Sequence, residues 1–463
     1  MKSLTEKQEV LAAALVLLFV KLALWPFVEV TDADAVSRIL FSLDWAKNPS
    51  WISDTIWPPG HFYVLGIGSF ISSNKIFFPI LIHIIVSWLA FFPVYAWMKN
   101  NTNHQKALIT ALLFSFSPLV LRLGSTPLAE SFLLLLLPSA LYYITRPNKH
   151  SVNVIWAGLM MTLACAFRYE AWLLSALLGT YFLFKKEFKN FFVFGAVCSI
   201  FPVIWMISQY YSTGDLLYGF HGNSAWTKDH MGMQFESDPE ILGRRIWFFP
   251  FSILIATGPI VWLLWIAQKK SRIALEKFFI IVPLVFLAIM IYQAVNGSLM
   301  LHHRFSAGLL ILLLPLINQV EWKKREFAYS SIILTLCLSL VYPMNGIAPT
   351  PRLKNREIAE AVEKCNSMVM PNQGVLIDFM GWDNSYYSLL YSESDNTILI
   401  DDSMIKSHLS ELVKGELSKN SLLIVLKSGN QLDQVLKEDN TFSFKKSWLS
   451  TDRKYFILEI EKK

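Results

Sequence analysis

Apolar residues in this chain come in long blocks. Stretches of roughly 16 to 22 residues rich in Leu, Ile, Val, Phe and Ala recur from the N-terminus to about residue 345, and each is long enough to cross hydrocarbon as a helix. "EVLAAALVLLFVKLALWPFV" is the first. About eleven spans are expected, near residues 9–28, 76–98, 106–122, 127–145, 152–168, 170–184, 190–210, 246–267, 277–295, 304–320 and 327–344. The first block is read as an uncleaved span, because "LWPFVEV" offers no small-residue cleavage site.

Beyond residue 345 the pattern shortens. "REIAEAVEKCNSMV" has the spacing of an amphipathic helix, and "GVLIDF", "NTILIDD", "SLLIVL" and "KYFILEIEK" read as strands. "SMIKSHLSELVKGEL" is expected as a helix between two of them. Strands alternating with helices predict a small α/β domain. The expected fold is therefore an α-helical polytopic membrane protein over residues 1–345, with a C-terminal α/β domain over 346–463.

Charge supplies the orientation. With the N-terminus in the cytoplasm, the loops "KNNTNHQK", "TRPNKH", "KKEFK", "QKKSRIALEK" and "EWKKRE" are cytoplasmic, and all are basic, as the positive-inside rule requires. An odd number of spans then puts the C-terminal domain outside the cell membrane. The net charge of +6 comes from these loops, so no nucleic-acid partner is implied. An apolar fraction of 54% is high for a soluble protein, and the recurring long apolar blocks reject a set of soluble domains. Of four cysteines, Cys165, Cys198 and Cys337 fall in expected spans and only Cys365 in the tail, so a disulfide framework is not expected.

Polar residues collect at the outer ends of the spans. After the first span comes "EVTDADAVSR", where Thr31 or Asp32 can cap a helix starting near Ala33. Asp34 and Arg38 would share one face of it, and Ile39, Leu40 and Leu43 would rest on apolar surface, as in an amphipathic helix on the outer membrane face. A capping motif and a solvated turn explain the same letters. "WPPGHFYVLGIGSF" starts a helix at its prolines and gathers Trp57, His61, Phe62 and Tyr63, a cluster that alone would be an interfacial anchor. In "LRLGSTPLAESFLLLLLP" Glu130 stands inside a span, where a carboxylate is normally functional or paired, and Arg122 stands just before the turn; a structural Glu–Arg pair is the alternative reading. "CAFRYEAWLL" puts Arg168, Tyr169 and Glu170 in a short outer turn, and "MLHHRFSAG" puts His302, His303 and Arg304 at another outer end. Adjacent histidines diverge on a helix, so anion binding by Arg304 is favoured over a metal site.

The topology thus gathers Asp32, Asp34, His61, Glu130, Arg168, Glu170 and Arg304 into one layer. Acids beside arginines at headgroup depth suit transfer of a group from a lipid phosphate. A carboxylate takes a proton from an attacking hydroxyl, and arginine holds the departing phosphate. A transporter of a lipid or small anion is the alternative. It would place polar residues near the midplane in repeated halves, and no repeat is found.

The stretches "DADAVSRI", "WPPGHFYVLG", "SPLVLRLGSTPLAESFLLLLL", "FRYEAWLL" and "HHRFSAGLLILLLPL" occur in an order that resembles the GT-C superfamily of integral-membrane glycosyltransferases, in particular relatives of protein mannosyltransferases and aminoarabinose transferases. The resemblance covers roughly the first 320 residues. It implies an inverting hexosyl- or pentosyltransferase that moves a sugar from a polyprenyl-phosphate donor to a lipid, glycan or protein acceptor at the outer face. It makes Asp32 or Asp34 the catalytic base and Glu130 the second acid. Arg168, Arg304 and Arg122 would meet the donor phosphate, and Trp57, His61, Tyr63, Glu170 and His303 would line the donor or acceptor pocket. Many members carry adjacent acids in the first loop; here Ala33 separates them, so either aspartate can be the base. Some relatives use a divalent metal, and the sequence leaves that open; no other cofactor is implied.

The topology is checked by cysteine labelling in intact cells. A Cys introduced after Tyr342 should react with an impermeant reagent, and one near Lys99, Lys185 or Lys270 only after lysis; a tail that reacts only after lysis reverses the orientation.

Overall fold

In the computed structural model the apolar blocks are helices. It describes the chain apart from residues 1–4, 28–31, 73, 147–150, 231–238, 258–276, 319–329, 338–356, 371–372, 381, 393–396, 401–421, 439–441, 452 and 463. Two compact units result: Met1–Val28 with Phe41–Ile347, and Glu29–Leu40 with Ala348–Lys463.

The first unit is a helical bundle. Helix α1 (Glu6–Leu24) starts at a capping box, with Thr5 and Gln8 each satisfying the other's backbone amide. Beyond α2 (Ala33–Lys47), α3 (Gly60–Ser69) follows the two prolines as expected. Its Gly60 lies against α9 (Ser151–Phe167), where an added Cβ would come 2.6 Å from the Ala166 carbonyl oxygen. Only glycine lets the two backbones approach so closely.

Several expected spans are interrupted. The 106–122 block forms α6 (His104–Ser115) and α7 (Pro118–Leu123), because Pro118 cannot continue the amide ladder and Ser117 caps the new helix. The 190–210 block forms α11 (Phe188–Cys198) and α12 (Ile200–Thr213), bent by 40°. At the bend the Ser199 hydroxyl donates to the Gly195 carbonyl, a back-bond that bends helices. By length and apolarity two described helices pass as spans, Phe77–Asn101 and Phe278–Val295, or three if the bent pair counts as one. That is fewer than the eleven expected. The polar turns take residues from the ends of α8 (Glu130–Thr145), α9 and α10 (Glu170–Phe184), and those helices stop at 16, 17 and 15 residues.

Helix α2 is less solvated than its sequence implied. Ser37, Arg38 and Ser42 are buried along with Ala35, Val36 and Ile39. Thr31 lies outside the described residues; Asp32 acts as a cap, its carboxylate accepting from the Asp34 amide at 3.1 Å.

The second unit holds a five-stranded sheet in the order β2–β1–β3–β5–β4. Its strands are β1 (Gly374–Asp378), β2 (Thr397–Ile400), β3 (Leu422–Lys427), β4 (Phe442–Leu449) and β5 (Tyr455–Lys462). The first three run parallel, and β5 is antiparallel to β3 and β4. The expected helix over 403–417 lies outside the described residues. Helices Trp382–Tyr391 and Gln431–Glu438 and strand β4 were not anticipated; Lys445 and Lys446 interrupt the apolar pattern of β4, as suits an edge strand.

Asp378, 2% exposed at the end of β1, accepts from the Lys427 amide at 3.1 Å and from Asn430 Nδ2 at 2.9 Å. Cys365 is buried in the same core, and burial pushes its thiol up to about 12. Native Cys365 should therefore resist alkylation at pH 8, because the thiolate is the reactive form. Asp378→Ala leaves buried donors unsatisfied, a loss of about 1–3 kcal/mol. Alkylation of Cys365 should then quicken by roughly tenfold or more; an unchanged rate means Asp378 does not stabilise the sheet.

Candidate functional site

Glu130 is the first residue of α8, and only 2% of it is exposed. The helix N-terminus favours its negative charge, but burying a carboxylate still costs several kcal/mol unless cations meet it. Two guanidinium groups do. Arg168 Nη1 and Arg304 Nε both lie 3.3 Å from Glu130 Oε1. Arg168 comes from the turn between α9 and α10, and Arg304 from the 3-10 turn His303–Ser306 that precedes the helix Ala307–Ile317.

Arg168 carries a second acid. Its Nε donates to Glu170 Oε2 at 3.0 Å and its Nη2 to Oε1, a bidentate fork. The Phe305 ring lies 5.3 Å from both guanidinium carbons, close enough for cation–π attraction. Two arginines and two glutamates so share one buried cluster. Arg168 reaches both acids, and Arg304 reaches Glu130.

A histidine pair stands near. His61 and His83 are fully buried, with their Nε2 atoms 3.0 Å apart. His83 Nδ1 lies 2.6 Å from the Pro79 carbonyl, which can only accept, so Nδ1 carries the proton. In the neutral pair His61 Nε2–H then donates to His83. Phe132, two residues into α8 from Glu130, meets both imidazoles edge-on and stacks on Phe167 at 4.1 Å. Glu130 also acts electrostatically on His83.

Arg122, in α7, acts electrostatically on His303, whose ring packs 4.6 Å from Phe248. Trp57 touches Phe41 and Phe62, and the Tyr63 hydroxyl accepts from the Ile52 amide at 2.9 Å. These aromatics pack against α2 and α3 side chains, so they build the unit as well as face its edge. Of the predicted layer, the structure brings together Glu130, Arg168, Glu170 and Arg304. Asp32 and Asp34, both half-buried, fall in the Glu29–Leu40 segment grouped with the second unit. Among the described residues no group of three or more His, Cys, Asp or Glu is placed to hold a metal ion.

Sequence reasoning missed His83, Phe132, Phe305 and Lys21. A signal existed for two of them: a histidine in "ILIHIIVSW" and a lysine in "LLFVKLALW" are ionisable residues inside apolar blocks, which by default mark a site. Nothing in the letters separates Phe132 and Phe305 from ordinary core phenylalanines.

Residues 57–208 match the family model described as Dolichyl-phosphate-mannose-protein mannosyltransferase. No curated protein matches the chain. Among solved structures, ArnT from Cupriavidus metallidurans bound to Undecaprenyl phosphate is similar at a TM-score of 0.68 and 11% identity, over 97% of each chain. ArnT in the apo state gives 0.65 at 12% identity, again over 97% of each. The arabinofuranosyltransferase AftD from Mycobacteria gives 0.51 at 12% identity, over 100% of this chain and 40% of that one. The resemblance read from the sequence therefore holds: nearly the whole chain has the fold of the GT-C membrane glycosyltransferases, and residues 57–208 match the mannosyltransferase family model.

Proposed function

We propose that the protein is an inverting glycosyltransferase that moves a sugar from a polyprenyl-phosphate donor to a hydroxyl acceptor at the outer membrane face. The observation that carries this reading is the buried Glu130–Arg168–Arg304 cluster in a fold shared with ArnT, whose solved form holds Undecaprenyl phosphate. The donor is a phosphodiester with one negative charge. As the acceptor oxygen bonds to the anomeric carbon, the bond from that carbon to the phosphate oxygen breaks. The polyprenyl phosphate leaves with one more charge. Fixed cations that meet this charge as it develops lower the barrier, and guanidinium suits phosphate in geometry and permanent charge.

The residues divide the work. Arg304 and Arg122 hold the leaving phosphate, and Arg168, already forked onto Glu170, fixes Glu130 and adds charge. Glu130 orients the two guanidinium groups. Trp57, His61, Tyr63, Glu170 and His303 line the path of donor or acceptor. Asp34 takes the acceptor proton, with Asp32 as cap of its helix. The acceptor is a lipid, glycan or protein hydroxyl, and no step is routed through a metal. Radiolabelled polyprenyl-phosphate sugar mixed with the purified chain and an acceptor extract tests the class: label should pass to the acceptor and free polyprenyl phosphate should appear, and absence of both rejects the reading.

Two predictions separate the roles. Arg304→Ala leaves Glu130 paired to Arg168, so melting should stay near wild type while donor affinity drops roughly tenfold or more, the worth of a charged hydrogen bond. Arg168→Ala strips both Glu130 and Glu170 of that cation and should cost about 3–5 kcal/mol of stability. Donor titration beside thermal melting checks both; an Arg304→Ala protein with unchanged affinity removes Arg304 from the phosphate.

For the base, Asn still caps a helix but accepts no proton. Asp34→Asn should lose roughly 10²–10⁴ of turnover while binding donor, and Asp32→Asn should be mild. The reverse pattern moves the base to Asp32, and full turnover in the double variant makes neither aspartate catalytic.

A further inference from the structure

Lys21 stands in the last turn of α1, inside an apolar block, and is 4% exposed. Its ammonium carries three donors, yet Nζ has no hydrogen-bond partner among the described residues. Nor does any described carboxylate lie within ion-pair distance of it. A buried ammonium with no acceptor is several kcal/mol out of balance. An acceptor brought to Nζ would restore that balance.

The surroundings define what fits. Nζ lies against Gly124, where an added Cβ would sit 2.9 Å from it and inside contact distance of Ser87 Oγ. Glycine at 124 is what leaves room for the amine. The donors nearby already have acceptors. Gly124 N donates to Val120 O, Ser125 N and Thr126 N to Arg122 O, Ser87 Oγ to Ile84 O, and Ser125 Oγ to Leu121 O. Among the described residues nothing complements Lys21, and an anionic ligand would. Lys21 lies in the last turn of the apolar helix α1, and a compact ammonium is a good point-charge partner for phosphate.

We propose that Lys21, beside Ser87 and the Gly124 turn, is a binding subsite for a phosphate group. The turn 124–129 leads directly into Glu130, so the subsite lies one turn along the chain from the buried cluster. The inference stands without sugar transfer; it needs only that the amine holds a phosphoryl oxygen.

The test uses the full chain in phosphate-free maltoside micelles, titrated separately with undecaprenyl phosphate and inorganic phosphate. Lys21→Met keeps length and removes charge, Lys21→Arg keeps charge, and Gly124→Ala fills the space beside the amine. Lys21→Met should bind roughly 10- to 100-fold more weakly, the worth of a charged hydrogen bond, Lys21→Arg should bind within about threefold of wild type, and Gly124→Ala should bind more weakly than wild type. Loss for undecaprenyl phosphate alone assigns a lipid headgroup, and loss for both probes assigns the phosphate itself. Wild-type affinity of Lys21→Met for both probes overturns the subsite. Should Lys21→Met fail to fold, Gly124→Ala decides, and unchanged affinity there overturns it as well. No turnover is measured, so failure of the transferase reading leaves this result standing.

Discussion

The membrane unit is organised around one carboxylate withdrawn from water. Glu130, 2% exposed, is held by cations in place of water: Arg168 and Arg304 both reach the same oxygen at 3.3 Å. That requirement pins three separate chain segments: the start of α8, the turn at 168–170 and the turn at 303–306. Coulomb attraction in a low-dielectric setting is strong, but the desolvation of each ion offsets much of it. The cluster therefore specifies position more than it adds stability. Fixed position is what a site for a developing phosphate charge requires, since preorganised groups need not reorient when the charge appears.

Most of the architecture was written in the apolar spacing. Blocks of Leu, Val and Phe forced helices, and "GVLIDF", "SLLIVL" and "KYFILEIEK" became the buried centre of the sheet. Ser117-Pro118 and Gly195–Ser199 carried the breaks in their letters, because a missing amide and a back-bonding hydroxyl act locally. What the letters could not carry was pairing across distance. That Arg168 forks onto Glu170 while also meeting Glu130, or that His61 finds His83, depends on which helices become neighbours. The burial of Arg38 on α2 has the same origin: it comes from packing that no periodicity reveals.

Similarity to ArnT over 97% of both chains at 11% identity fits this division. A bundle of this kind is set by where apolar blocks begin and end, which many sequences satisfy. The charged residues at the block ends are then free to define chemistry. In this chain those ends supply Arg168 and Arg304, the acids Glu130 and Glu170 that they pair with, and the buried Lys21.

The most direct test of this account is a structure of the protein with undecaprenyl phosphate bound. The account predicts phosphate density within about 3 Å of an Arg304 nitrogen, the reach of a charged hydrogen bond. Phosphate bound away from Arg304 and Arg122, with the Glu130 ion pairs undisturbed, would contradict it.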